Sequence, residues 1–210
     1  MPNLQWTLST LPAGNPPRAT THLRAVAPVH IETHGYLLRT VVPGDITTRM
    51  VDWVNSEAMR TGLNLPPLNF SLDRLRAFVD GFDSLNNHFI GIFDRATAQL
   101  IGFYTLDVNL AHKVGNITCG IGEPEYLGRR VLWHTIDALL DHFFTYRDVH
   151  KVTARILAKN QHMLFNFIDN TRFVWEAKLQ RECLAANGER LDVLVFAAHR
   201  DGCREDGTAP

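Results

Sequence analysis

The stretch GEPEYLGRRVLWHTIDALLDHFF, residues 122–144, decides how the rest of the chain is read. A short loop with a proline, two carboxylates and two glycines runs into Arg129 and Arg130, after which Leu132, Ile136, Leu139, Leu140 and Phe143 recur at steps of three and four. That period marks an amphipathic helix. A helix start leaves backbone N–H groups without internal partners and carries partial positive charge, so this loop is a candidate phosphate seat. Arg129 and Arg130 add forked cationic donors suited to phosphate oxygens, whereas Glu123 and Glu125 oppose an anion unless they point away.

Upstream, three strand-like runs, 88–94, 99–110 and 114–121, are joined by short polar connections and predict a meander. Before them, YLLRTVV (36–42) reads as a strand stopped by Pro43 and Gly44. Asp45 is placed to cap a helix through Ile46, Met50, Trp53 and Val54, and Ser71 to cap a second helix closed by Gly81. Downstream, KVTARILA (151–158) predicts a strand, Asn160 caps a helical run, and two strands follow about a turn at 186–188. The order β, α, α, β, β, β, α, β, α, β, β defines an α/β (α+β) chain with a mixed sheet, read as one domain over 31–200. Residues 1–30, rich in proline, read as an irregular extension, and 201–210 as a flexible tail.

At 210 residues, 45% hydrophobic and 20% charged, the chain is long enough for a substantial core. A net charge of -1 gives no global attraction to nucleic acid or to an anionic membrane, so any anion site is local. No apolar run approaches the ~20 residues that cross a bilayer. Cys119, Cys183 and Cys203 are widely spaced and form no CxxC pair, which suggests neither a disulfide framework nor a zinc site and makes a reducing cytoplasm the simplest setting. His134, Asp137 and Asp141 share a helix face, but one opposite the apolar stripe, so they read as solvated surface and no metal is expected.

This order of elements, with GIGEPEYLGRRV followed by DHFFTYRDVHKVTARILAKNQHM, resembles the GNAT acyltransferase superfamily over roughly residues 31–200. The likeness is closest to the ribosomal-protein alanine N-acetyltransferases and their small-amine relatives. It implies a mostly antiparallel central sheet with helices on both faces. In that family the loop has the pattern Gln or Arg, x, x, Gly, x, Gly or Ala, and opens a helix on the pyrophosphate of acetyl-CoA. Here the loop is Leu127, Gly128, Arg129, Arg130, Val131, Leu132: Arg130 stands for the first motif glycine and Leu132 for the final small residue, while Gly128 matches a glycine of the family's Trp-Gly-x-Gly version.

The resemblance further implies a cytoplasmic N-acetyltransferase using acetyl-CoA, or another acyl-CoA, on a primary amine of a small molecule or a protein N-terminus. Gly128, Arg129, Arg130 and Val131 would hold the pyrophosphate, Gly120, Ile121 and Gly122 the pantetheine, and Asn160 the arm near the thiol. The family's carboxylate base is missing from 113–121, leaving Asp107 on the preceding strand as the nearest acid in reach. The Ser and Tyr that serve relatives as thiolate acid fall on Met163 and Phe167, neither of which donates a proton. Cys119 reads as a small buried hydrophobe. A CoA-binding module that has lost catalysis is therefore the alternative. The acceptor is expected over the first two helices and the loop TGLNLPPLNF (61–70), and a homodimer pairing through the terminal strands stays open.

Overall fold

The computed structural model describes residues 28–202. The expected extension, apart from residues 28–30, and the tail from 203 onward lie outside the described residues. Eight strands form one open sheet in the order β1-β2-β3-β4-β5-β6-β8-β7. They are β1 (His30–Glu32), β2 (Tyr36–Thr40), β3 (Asn87–Asp94), β4 (Leu100–Asn109), β5 (Val114–Ile121), β6 (Lys151–Leu157), β7 (Val174–Leu184) and β8 (Arg190–His199). The helices are α1 (Thr48–Asn55), α2 (Glu57–Leu63), α3 (Leu72–Asp80), α4 (Val131–Tyr146) and α5 (Gln161–Ile168). This is the mixed, mostly antiparallel sheet with helices on both faces that the sequence predicts.

The alternation of side chains along β4 and β5 sorts the core into two halves. Tyr104, opposite Cys119, and Leu106, opposite Ile117, face α4 and α5, packing with Ile136, Leu140, Phe143 and Phe167. Phe103, opposite Gly120, faces α1, α2 and α3, packing with Trp53, Met59, Leu75 and Phe89. Buried Thr135 in α4 is satisfied by Tyr104 Oη at 2.7 Å and by Val131 O at 2.8 Å, so the helix docks on the sheet without an orphaned hydroxyl.

Two local expectations change. Asp45 caps no α-helix: residues Pro43–Asp45 form a 3-10 turn, and the Asp45 carboxylate grips Arg39 in a fork at 2.6 and 2.7 Å while accepting the Val42 N–H. The cap of α1 is Thr47, whose hydroxyl accepts the Met50 N–H. A further helix, α2, follows the one read through Val54, because Ser56 ends α1 in an extended conformation and caps α2 through the Met59 N–H.

One feature of the sheet positions the site. Every neighbouring pair is antiparallel except β5 and β6, which run parallel and pair only from Val114↔Lys151 to Ile117↔Ala154. Beyond that point β5 stays paired with β4 as far as Ile121 and β6 with β8 as far as Leu157, but not with each other. The sheet therefore parts between residues 118–121 and 155–157.

Candidate active site

The loop from β5 to α4 is built to present backbone. Gly128 sits at φ +76°, and Arg130, the residue before the first helical turn, at φ +55°, ψ +31°. This left-handed conformation suits glycine and costs other residues ~1–2 kcal/mol, which accounts physically for a glycine at this position in the resembled motif. Arg130 offers no side-chain cap to α4. The amides of Val131, Leu132 and Trp133 thus open the helix with neither an internal acceptor nor a capping side chain. Arg130 and Gly128 border a cavity of about 1130 Å³ that runs from the start of α4 along 120–122 to the parting of the sheet.

The two arginines are not equivalent. The Arg129 guanidinium lies 5.3 Å from the Tyr126 ring centroid, and Tyr126 in turn donates its hydroxyl to Asp94 at 2.8 Å. Arg129 is not part of the cavity wall, whereas Arg130 is and has no ion-pair partner among the described residues. The glutamates remain in the cavity wall, but Arg49, in the same wall, pairs them. Glu123, only 1% exposed, receives Arg49 Nε at 2.6 Å and Arg49 Nη2, and Glu125 lies 3.6 Å from the same guanidinium. Arg49 thus draws both carboxylates toward α1 and fixes the loop to that helix.

Gly120 and Gly122 serve a different purpose from the open channel their size suggests. A Cβ on Gly122 would penetrate the Trp53 ring, and one on Gly120 would come within 2.9 Å of Met59 Sδ. The space they release is filled by α1 and α2. The Gly122 N–H is also engaged, donating to Ile101 O at 2.9 Å. Ile121 and both glycines nevertheless line the cavity. Asn160 lines it too, but its side chain is spent on architecture: Oδ1 accepts the Met163 N–H at 3.2 Å and Nδ2 donates to Gly62 O at 3.1 Å, tying α5 to α2.

A second cavity, about 270 Å³, opens on the α1–α3 side of the sheet, walled in part by Leu63 at the end of α2 and by Asn64, Leu65, Leu68 and Phe70 of the loop that follows. It shares six wall residues with the first, Met59, Gly62, Leu63, Cys119, Asn160 and Met163, so the two meet where β5 and β6 part. Asp107 lines neither. It is exposed at the far end of β4, beside Asn116 on β5, and desolvation by its neighbours raises its carboxyl above the usual range. The structure therefore separates Asp107, the base expected from the sequence, from the junction. Cys119 Sγ rests 3.7 Å from Met163 Sδ, and burial pushes its thiol up to about 12, consistent with a packing role. Phe167 is 1% exposed in the core. Among the described residues no cluster of His, Cys, Asp or Glu is arranged to hold a metal ion, and no helix is long and apolar enough to cross a membrane.

A parallel strand pair that parts beside an uncapped helix start is the signature expected of a GNAT-type acyltransferase. The family model for the acetyltransferase (GNAT) domain matches residues 36–164, more than half of the chain, and the chain belongs to that acyltransferase family. Its fold is similar to that of a spermidine N-acetyltransferase from Vibrio cholerae in complex with CoA and spermine (22% identity, TM-score 0.71, covering 80% of this chain and 97% of that one). A ribosomal L7/L12 alpha-N-protein acetyltransferase (18%, TM-score 0.70, 89% and 99%) and a ribosomal-protein-S5-alanine acetyltransferase from Vibrio fischeri (15%, TM-score 0.70, 87% and 100%) share it. No curated protein matches the chain in sequence.

Proposed function

We propose that the chain is an acetyl-CoA-dependent N-acetyltransferase acting on a primary amine. The observation that carries this reading is the meeting of two cavities at the parting of β5 and β6, one ending at the uncapped start of α4. The pyrophosphate is assigned to the amides of Val131, Leu132 and Trp133 with Gly128 and the Arg130 guanidinium, and the pantetheine arm to the wall formed by 120–122 and Asn160. Fit is supported by the size of the larger cavity and by backbone donors left free at its end. Acetyl-CoA supplies the thioester, and the acceptor enters through the smaller cavity. A neutral nitrogen attacks the thioester carbonyl; the C–N bond forms as the C–S bond breaks, and the proton lost by nitrogen ends on sulfur. Met163 and Phe167 cannot relay that proton, and water or the amine itself is the carrier assigned to it.

The same absence favours a second reading, a CoA-binding module without turnover. Calorimetric titration with acetyl-CoA, followed by release of free CoA thiol across a panel of amines, separates the two. Binding with thiol release and an acetylated amine detected by mass is the expected result. Binding without release supports the module, and no binding by the native chain overturns both. Gly128→Glu, which adds a carboxylate and a strained φ at the helix start, is expected to abolish the heat.

A further inference from the structure

The smaller cavity carries a statement about the acceptor, resting on the assignment of acyl transfer to this site. Its wall is mostly leucine, phenylalanine, valine, isoleucine and methionine, with Asn64, Thr105, Asn116, Thr118 and Asn160 as uncharged polar points. Among the described residues it contains no aspartate, glutamate, lysine or histidine, and its one charged residue, Arg155, is held by Glu182 at 2.6 Å. Aromatic rings at its inner end are tightly organised, with Phe89 stacked on Phe103 at 5.3 Å and Phe78 edge-on to Phe89 at 6.4 Å.

We propose that the acceptor is a small primary amine with an uncharged apolar or aromatic tail, its nitrogen at the junction near Met59, Cys119 and Met163 and its tail among Leu65, Leu68, Phe89 and Phe103. Two physical arguments select this class. A polyamine would carry its further ammonium groups into a wall with no carboxylate to pair them and with Arg155 as its only charge, and buried unpaired cations are strongly disfavoured. An apolar tail instead exchanges water for a preformed apolar wall, the usual basis of small-ligand affinity. The volume, near the lower end of the ~300–1,000 Å³ typical of ligand pockets, fits a single ring on a short chain and excludes bulkier tails.

The test is thiol release from acetyl-CoA by the full chain with 2-phenylethylamine, hexylamine, spermidine and an alanine-initiated peptide, alongside calorimetry with acetyl-CoA. The phenyl and hexyl amines are expected to exceed spermidine in kcat/KM by on the order of 100-fold, the discrimination typical of an unpaired buried charge. Spermidine or the peptide turning over faster than both overturns the acceptor class while leaving acyl transfer intact. Acetyl-CoA binding without turnover of any amine overturns the acyl-transfer reading on which the class rests. Leu68→Asp, on a half-buried loop position, introduces a carboxylate and is expected to shift the ratio at least tenfold toward spermidine; an unchanged ratio in a folded variant overturns the placement of the tail.

Discussion

Arg130 occupies the conformation of a glycine, and paired substitutions there separate what its backbone does from what its side chain does. Arg130→Ala removes the guanidinium but keeps a Cβ at φ +55°. Arg130→Gly removes the same cation and also the left-handed strain of ~1–2 kcal/mol. A charge-assisted hydrogen bond is worth ~1.5–3 kcal/mol. Arg130 is exposed, so solvent screening reduces its contribution to phosphate binding to about 1–2 kcal/mol, or ~5–30-fold in Kd. Both variants should therefore bind acetyl-CoA about 5–30-fold more weakly by calorimetry, with a shallower dependence on salt. Glycine's greater freedom in the unfolded chain offsets ~0.5–1 kcal/mol of the relieved strain. Arg130→Gly should therefore melt above Arg130→Ala by up to roughly 2–4 °C. With acetyl-pantetheine, which lacks the pyrophosphate, both variants should match the native chain. Affinity for acetyl-CoA within twofold of native in Arg130→Ala refutes the guanidinium's role, and a lower melting point for Arg130→Gly than for Arg130→Ala refutes the strain.

Two further predictions follow from the loop and the cavity. Arg49→Met strands the buried Glu123 carboxylate and should lower the melting temperature, by an amount moderated because Arg49 is 56% exposed and water reaches it; Glu123→Gln in the same chain should largely restore it. The second concerns pH: among the described residues the acceptor cavity's wall holds no histidine, aspartate or glutamate, burial holds Cys119 up to about 12, and burial raises Cys183. kcat/KM should rise with pH until the acceptor's own pKa, and its break should move when amines of different basicity are compared; a break fixed near neutrality for all of them would expose an enzyme base.

What the sequence made legible was decided by range along the chain. The span from β5 to α5 was readable because each element announces itself locally: β-branched runs, a sixteen-residue helix with a continuous apolar stripe, and an Asn cap one residue before its helix. Short elements were not. Three-residue β1 carries no pattern, and α2 was hidden because Ser56 serves two helices at once. Asp45 looked like a cap because its other use, gripping Arg39, requires the turn to be folded first. The loop was legible as a helix start, but its electrostatics were not, since Arg49 reaches Glu123 across 74 residues of sequence. Likewise, glycines at 120 and 122 read as room for a ligand until Trp53 and Met59 were seen to fill the space.

The acceptor cavity's wall, without carboxylate or imidazole among the described residues, then takes on a different meaning. A site that takes charged ammonium groups from water must strip a proton, and needs a carboxylate or imidazole placed to do so. A wall without either cannot perform that step, but its low polarity disfavours the ammonium form and so admits the amine already neutral. The nitrogen then needs to shed only the proton that it carries after attack, and the departing thiolate is a ready acceptor for it. Phe167 and Met163 at the positions of proton donors, and Asp107 turned out to solvent, are thus consistent with one arrangement: an apolar cavity that selects the free base of its substrate and leaves the rest of the reaction to orientation at the parted strands.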